Sequence, residues 1–413
     1  MSLQQEQVFA RPAEAQVAPG SSSLQTALLR WLLGGLECGE LMLKTPSGEQ
    51  LMLKGRLAGA RARISIHTWR VASRVLFASD IGFAESYMAG EWSSPDLSEL
   101  LKLADSNSAF LLALKRLRQP RPLQRLRHAV HRNTRRGSRR NVAAHYDLGN
   151  MFYQRWLDAG MNYSAGLYSS ASQGLEAAQD AKLDRVLKLL NLTGDERVLE
   201  IGCGWGGFAE RLLQKSGCDV TGITLSKEQL AYARDRLGSE IARGRCDLRL
   251  LDYRDAGGSF DRIVSIEMLE AVGQAYWPTY FKQLRDRLAP QGIAVLQVIT
   301  IDENRFERYR RNPDFIQRYV FPGGMLPTVE IIREVAARAG LDVVHSEFFG
   351  DNYARTLAEW RRRFDIAWPS IKVAGCNHRF KRMWEYYLAY CQAGFETGRL
   401  DVGLYKMVHA GGG

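Results

Sequence analysis

Apolar, β-branched runs alternate with helix-like segments through the middle of the chain. Five of these runs occupy residues 198–201, 219–225, 247–252, 260–268 and 293–300, at intervals that leave room for helices. Strands that alternate with helices in this way form a parallel sheet with helices on both faces. The pattern therefore predicts a doubly wound α/β domain of the Rossmann-like type.

The first run leads into glycines with the spacing G-x-G-x-G, at Gly202, Gly204 and Gly206. Glycine permits a tight turn and lets a ligand lie directly against the backbone. The spacing differs from the dinucleotide pattern G-x-G-x-x-G, which argues against an NAD enzyme. The loop predicts a nucleotide-like ligand, which we take to be S-adenosylmethionine (SAM). A structural turn without a ligand is the alternative.

Ligands in doubly wound sheets bind at the carboxyl ends of the strands, near the point where the strand order reverses. The residues at these ends are therefore the candidates for the site. In chain order they are Glu200, Thr224, Leu225, Gln229, Asp252, Tyr253, Glu267, Glu270, Gln297 and Ile299.

The rest of the chain divides by composition. Residues 24–114 contain short strand-like and helix-like runs separated by turn residues, which predicts a small α+β domain. Residues 1–23 are polar, so we expect a disordered tail rather than a signal peptide. The larger domain is expected over 141–413, with a lid near 302–328. Its C-terminal part is rich in aromatic residues, which either pack a core or line an acyl-chain pocket.

The net charge of +11 is concentrated in a basic segment, residues 115–140, which contains eleven Lys and Arg and no Asp or Glu. Leucines lie between these basic residues, a mixture that suits contact with the anionic headgroups of a membrane. A solvated linker is the alternative. The segment matches no nucleic-acid-binding motif, so no nucleic acid partner is expected.

Cysteine and histidine usage argues against metal and disulfide chemistry. The six cysteines form no C-x-x-C pair, and the seven histidines form no H-E-x-x-H motif. We therefore predict no metal site and a reducing, cytoplasmic location. No apolar run reaches the roughly 18–20 residues that span a membrane. The expected membrane contact is therefore peripheral, at the inner face.

Several short motifs together resemble the cyclopropane-fatty-acyl-phospholipid synthase family, which includes mycolic acid methyltransferases. They lie at 87–92, 145–150, 161–164, 200–207, 224–229 and 321–324, and so extend over nearly the whole chain. The resemblance implies a class I SAM-dependent methyltransferase domain preceded by a small lipid-associated domain. The SAM-binding residues that it implies, together with the strand-end candidates, are Tyr146, Tyr163, Ser164, Glu200, Gly202, Gly204, Thr224, Leu225, Gln229, Asp252 and Tyr253.

The resemblance also implies a reaction. A cis double bond in a phospholipid acyl chain attacks the methyl group of SAM and leaves a carbocation in the chain. Dry aromatic walls stabilise such a cation, and a base removes a proton from it. The candidate aromatic residues are Tyr163, Tyr168, Tyr276, Trp277 and Tyr353.

The position of the lost proton decides the product of this reaction. Loss from the transferred methyl group closes a cyclopropane ring, whereas loss from the chain leaves a methyl branch and a shifted double bond. A partner reductase would then be needed for a saturated branch.

In ring-forming members of the family, a bound bicarbonate serves as the base. The resemblance places it among a Cys, a Glu followed by His, a second His, the backbone of an Ile, and a Tyr. Three of these positions match here: Glu270, Ile299 and Tyr353. The Cys position is Ala165, the second His position is Gln297, and Ala271 follows the glutamate. These changes predict weaker bicarbonate binding, with Glu270 first and Glu267 second as a protein base.

We therefore predict methyl or methylene transfer to unsaturated acyl chains of phospholipids in an anionic membrane, with a slight preference for the branched product. Two alternatives are a methyltransferase that acts on a small non-lipid acceptor and a non-catalytic lipid-binding protein. The resemblance is compatible with a homodimer.

Overall fold

The computed structural model describes residues 35–108, 137 and 148–411. The predicted N-terminal tail, Tyr146 and all of the basic segment except Gly137 lie outside the described residues. The chain divides into two units, which are described separately. The smaller unit comprises the described residues of Met1–Pro120 together with His378–Ala393, and the remainder forms the larger unit.

The smaller unit is built on a sheet of four strands within the described residues. These are β1 (Cys38–Lys44), β2 (Gln50–Lys54), β3 (Leu57–Ile66) and β4 (Trp92–Ser93), in the order β2-β1-β3-β4. Alternate side chains of β1 and β2 are buried, as expected for a sheet with one face on a core. The helices that follow in sequence are α1 (Arg70–Met88) and α2 (Leu97–Ser106). The side chain of Asp96 caps α2 by accepting the backbone N–H of Glu99.

Residues 378–393, which the sequence pattern assigned to the larger domain, pack in the smaller unit. The guanidinium of Arg382 donates to the backbone carbonyls of Tyr87 and Trp92, at 2.5 and 2.6 Å, and lies 4.2 Å from the centre of the Tyr87 ring. The Tyr87 hydroxyl donates to Glu385 at 3.2 Å. These polar contacts hold the aromatic motif at 87–92 in place. The sequence pattern did not indicate this, because helical periodicity alone does not show which core a helix packs against.

The larger unit contains the predicted α/β sheet. Its strands within the described residues are β5 (Arg197–Ile201), β6 (Asp219–Thr224), β7 (Cys246–Leu250), β8 (Phe260–Ile266), β9 (Leu288–Ile301), β10 (Leu341–Phe348) and β11 (Leu400–His409). Their order is β10-β11-β9-β8-β5-β6-β7. The five predicted strands are β5 to β9 and pair in parallel, whereas β10 and β11 add an antiparallel edge. The strand order reverses between β5 and β8.

Helices connect and flank these strands. They are α3 (Asn150–Tyr153), α4 (Leu175–Leu190), α5 (Gly207–Lys215), α6 (Lys227–Arg236), α7 (Gly238–Ala242), α8 (Leu269–Val272), α9 (Trp277–Arg287), α10 (Glu303–Arg311), α11 (Phe315–Tyr319), α12 (Val329–Arg338), α13 (Gly350–Val373) and α14 (His378–Glu396), the last of which belongs mainly to the smaller unit. The segment predicted as a lid contains α10 and α11. No helix in the described part of the chain is both long and apolar enough to cross a bilayer.

Candidate active site

A cavity of about 160 Å³ lies at the carboxyl ends of the parallel strands, where the strand order reverses. Ten of the predicted site residues line it: Tyr163, Ser164, Glu200, Gly202, Gly204, Thr224, Leu225, Gln229, Tyr253 and Glu267. Five others lie outside this lining: Asp252, Glu270, Gln297, Ile299 and Tyr353. The fold thus brings most of the predicted residues to one crevice, which is the usual place for a ligand in such a sheet.

The glycine loop presents bare backbone to this cavity. Gly202 and Gly204 have positive φ angles of 87° and 51°, which glycine adopts without steric cost. The N–H of Gly202 donates to the carbonyl of Ile223 at 2.9 Å and ties the loop to β6. A Cβ on Gly204 would meet no atom within 4 Å. The space in front of Gly204 is therefore open to a ligand.

The motif at 224–229 (T-L-S-x-x-Q) forms the capped turn between β6 and α6. Ser226 caps α6 by accepting the backbone N–H of Gln229 at 3.2 Å. The Thr224 hydroxyl donates to the Gln229 side chain at 3.0 Å. Both side chains are thus held in place on the cavity wall.

Asp252 and Tyr253 differ in their surroundings. The Asp252 carboxylate is 1% exposed and accepts two hydrogen bonds from the Arg254 guanidinium, at 2.7 and 2.6 Å. It therefore caps its turn and pairs with arginine, outside the cavity lining. Tyr253 lines the cavity and packs edge-on against Tyr280. Burial raises the pKa of the Tyr253 hydroxyl to about 12.

Glu267 projects its carboxylate into a ring of donors. The backbone N–H of Ala165 and the Gln297 amide both donate to Oε1, at 2.9 and 2.7 Å. The Tyr353 hydroxyl donates to Oε2 at 2.5 Å. Desolvation raises the pKa of Glu267 above its usual range, and these donors and the charge of Lys182 limit the rise. Gln297 and Tyr353 thus reach the site through Glu267.

Glu270 lies near Glu267 but outside the cavity lining. Its Oε1 accepts the backbone N–H of Ile299 at 2.5 Å, whereas its Oε2 is buried without a partner among the described residues. Desolvation and the nearby charge of Glu267 raise the pKa of Glu270 to about 8. These surroundings favour the protonated form of Glu270. Its backbone carbonyl accepts the N–H of Met325 at 2.8 Å, which fixes the segment that follows the motif at 321–324.

Lys182 is a site residue that the sequence reading missed. It is 1% exposed, lines the cavity, and donates from Nζ to the Ser164 hydroxyl at 2.8 Å. Desolvation lowers its pKa to about 8, against the attraction of Glu267, Asp158 and Glu200. The available signal was its position on the apolar face of α4, where a lysine is unusual.

Glu200, at the end of β5, is a second buried carboxylate on the cavity wall. It is 3% exposed, and its Oε2 has no partner among the described residues. Burial raises its pKa to about 8, and the charge of Lys182 counteracts this rise. A cationic group of a ligand beside this oxygen would favour the ionised form.

Tyr163 is the candidate aromatic residue that lines the cavity in the described structure. Its ring lies 5.3 Å from that of Trp360 and 5.5 Å from that of Trp156, within a dry aromatic cluster. The ring of Tyr168 is instead covered by Arg355 at 3.9 Å. The contact between Trp360 and Tyr163 is core packing, and it holds the Tyr163 ring in its orientation on the cavity wall.

Comparison with known proteins assigns this site to a family. A family model described as mycolic acid cyclopropane synthetase matches residues 133–404, which include the whole cavity. The chain belongs to this family. The sequence resemblance is therefore confirmed.

This chain has relatives that are named as methylating enzymes and relatives that are named as ring-forming enzymes. It is 38% identical to the tuberculostearic acid methyltransferase UfaA1 of Mycobacterium tuberculosis, over 80% of this chain and 79% of the relative. It is 36% identical to the cyclopropane-fatty-acyl-phospholipid synthase of Escherichia coli, over 82% of this chain and 85% of the relative. The solved structure of the mycolic acid cyclopropane synthase CmaA1 with SAH and CTAB is 27% identical and has a TM-score of 0.61. That match covers 65% of this chain and 97% of CmaA1.

The family member is thus a SAM-dependent methyltransferase of the cyclopropane-synthase type, with the predicted class I fold and SAM as its cofactor. SAM supplies a methyl group activated on a sulfonium. The cavity suits this cofactor because Gly204 leaves open space, Glu200 offers an unpartnered oxygen, and Tyr253 offers an aromatic ring.

Replacing Gly204 by Val should abolish SAM binding. The valine side chain would occupy the open space in front of the loop and would also require the left-handed backbone conformation that β-branched residues avoid. Gly244→Val is the matched control, because Gly244 has a φ of 76° and equally open surroundings but lies outside the cavity lining. Calorimetry with SAM should show loss of binding in Gly204→Val alone. Retained affinity in that variant would show that the ligand lies elsewhere.

Replacing Lys182 by Met should shift the acid limb of the pH–rate profile to higher pH. Removing the positive charge raises the pKa of Glu267 further, so this carboxylate protonates more readily. We expect a drop in rate at pH 7 of roughly tenfold, equivalent to about 1.4 kcal/mol. Lys188→Met, on the exposed side of the same helix, is the control. An unshifted profile for Lys182→Met would contradict the electrostatic role.

Proposed function

We propose that the enzyme transfers the methyl group of SAM to the cis double bond of an unsaturated acyl chain in a membrane phospholipid. The observation that carries this proposal is that the glycine loop and the Glu267 carboxylate line the same cavity. An alkene acceptor needs no protein nucleophile, but it does need a base close to the transferred methyl group. The names of UfaA1 and of the Escherichia coli synthase support a fatty acyl acceptor.

The first chemical step forms a carbon–carbon bond and breaks the carbon–sulfur bond of the cofactor. The alkene supplies the electron pair, so the positive charge passes from sulfur to the second alkene carbon. The ring of Tyr163 stabilises a cation at this point through its negative face. Its aromatic neighbours keep water from capturing the cation.

The second step removes a proton, and we infer that Glu267 accepts it. Glu267 lines the cavity, and three donors together with Lys182 favour its ionised form. Glu270 has a pKa of about 8 and lies outside the cavity lining. This proposal reverses the order in which the two glutamates ranked as bases from the sequence.

The expected product is a methyl-branched chain with a shifted double bond. Such a product forms when the proton leaves a chain carbon, whereas loss from the transferred methyl group closes a ring. The similarity to UfaA1, whose name describes a methyltransferase, supports the branch. A partner reductase would be needed to saturate the product.

We further propose that the enzyme works at the cytoplasmic face of the membrane. Acyl chains of phospholipids are accessible to a protein only at the bilayer, and the basic segment at 115–140 provides the charge to bind anionic headgroups. Electrostatic attraction of this kind is reversible and depends on ionic strength. It therefore suits an enzyme that visits its substrate.

Incubation with methyl-deuterated SAM and vesicles of cis-monounsaturated phospholipid tests the proposed reaction. We expect mass spectrometry to find acyl chains that carry all three deuterium atoms, because the proton is lost from the chain. Chains with two deuterium atoms would indicate ring closure and would contradict the branched product. Labelled methyl in a water-soluble compound, and none in lipid, would exclude the lipid acceptor.

Binding to anionic vesicles should weaken as salt increases, because exposed charges are screened over about 10 Å at 0.1 M ionic strength. Replacing Arg135 and Arg136 by Gln should weaken binding by roughly 30-fold, since each basic residue near an anionic surface contributes about 1 kcal/mol. The matched control replaces Arg310 and Arg311, an adjacent pair in α10 that binds Glu307. Equal effects of the two double variants would contradict a specific role for the basic segment.

A further inference from the structure

The donors around Glu267 come from three separate parts of the larger unit and meet at one carboxylate. Ala165 follows the 161–164 motif, Gln297 is on β9, and Tyr353 is on α13. Three donors directed at one point form an anion-binding site. In this protein the anion is part of the chain.

We propose that Glu267 is the resident anion and catalytic base of this site, and that it makes the enzyme independent of bicarbonate. This inference rests on the proposed alkene methylation. Glu267 is covalently fixed, so its concentration beside the acyl chain does not depend on dissolved carbon dioxide.

Bicarbonate does not fit the pocket as this chain builds it. The resemblance located the bicarbonate among positions 165, 270, 297, 299 and 353. The backbone donor at 165 and the side-chain donors at 297 and 353 are directed at Glu267. The backbone donor at 299 is directed at Glu270. A second anion would meet the charge of Glu267 without these donors, which is unfavourable in a desolvated site.

The backbone of Glu267 supports this role. Its φ is 49°, in the left-handed region that residues other than glycine rarely adopt. Its N–H donates to the carbonyl of Gln297 at 2.8 Å and holds this conformation at the end of β8. Uncommon backbone conformations persist where the surrounding structure enforces them, often at functional sites.

The proton-transfer step is balanced without a further reactant. Oε2 of Glu267 accepts one hydrogen bond in the described structure, from Tyr353, and a carboxylate oxygen has capacity for a second. The proton passes from the cationic chain to Oε2. The electron pair of the broken C–H bond forms the new carbon–carbon double bond and neutralises the cation. The proton returns to solvent when the product leaves.

The first test is a binding measurement that requires no lipid. Carbon-13 NMR of labelled bicarbonate should show no binding to the wild-type protein and clear binding to Glu267→Gly, in which the three donors are released. Glycine adopts the required φ without strain, so this variant should fold and retain SAM affinity. Asn191→Gly, at a remote residue with a φ of 53°, is the backbone control. Binding to the wild type, or binding to neither protein, would overturn the proposal.

The second test measures methyl transfer to cis-monounsaturated phospholipid vesicles in buffer freed of carbon dioxide. The wild-type rate should change less than twofold when bicarbonate is added. The Glu267→Gly rate should fall by at least about 100-fold, the lower range for a lost general base, and recover in part with bicarbonate. A wild-type enzyme that needs bicarbonate would refute the inference. Absence of lipid methylation under all conditions would instead refute the proposed acceptor, and the binding result would still stand.

Discussion

The proposed reaction depends on keeping one carboxylate, that of Glu267, ionised in a desolvated cavity. Removing a charged group from water costs several kcal/mol unless partners compensate. For Glu267 the compensation comes from the hydrogen bonds of Ala165, Gln297 and Tyr353 and from the charge of Lys182. These partners lie on a loop, two helices and a strand. This one electrostatic requirement therefore constrains the arrangement of much of the larger unit.

Neighbouring groups divide the remaining tasks. Desolvation and the nearby charge of Glu267 raise the pKa of Glu270 and so favour its protonated form. Lys182 donates to Ser164, and its charge interacts with both Glu267 and Glu200, the residue at the end of β5 before the glycine loop. Tyr163 faces the same cavity from an aromatic cluster. The proposed reaction uses all of these features: a bare loop for the cofactor, a dry wall for the cation and a fixed base for the proton.

Much of this arrangement is predictable from the sequence. Apolar runs identify the strands because central parallel strands are buried on both faces, and their ends then define the crevice. Lys182 escaped prediction because lysines usually mark exposed positions, although its place among the apolar residues of α4 was visible. The ranking of Glu267 and Glu270 depends on which of the two side chains lines the cavity, which residue type does not indicate. The sequence predicted Asp252 beside the cofactor. In the structure, the carboxylate of Asp252 pairs with Arg254, two residues further along the chain.

The proposed mechanism depends on the protonation states of the two glutamates, and infrared difference spectroscopy at pH 7 tests them directly. The spectrum of the wild type minus Glu267→Gln should contain the bands of an ionised carboxylate. The spectrum of the wild type minus Glu270→Gln should contain the carbonyl band of a protonated acid. The reverse assignment, with the acid band lost on replacing Glu267, would contradict the account.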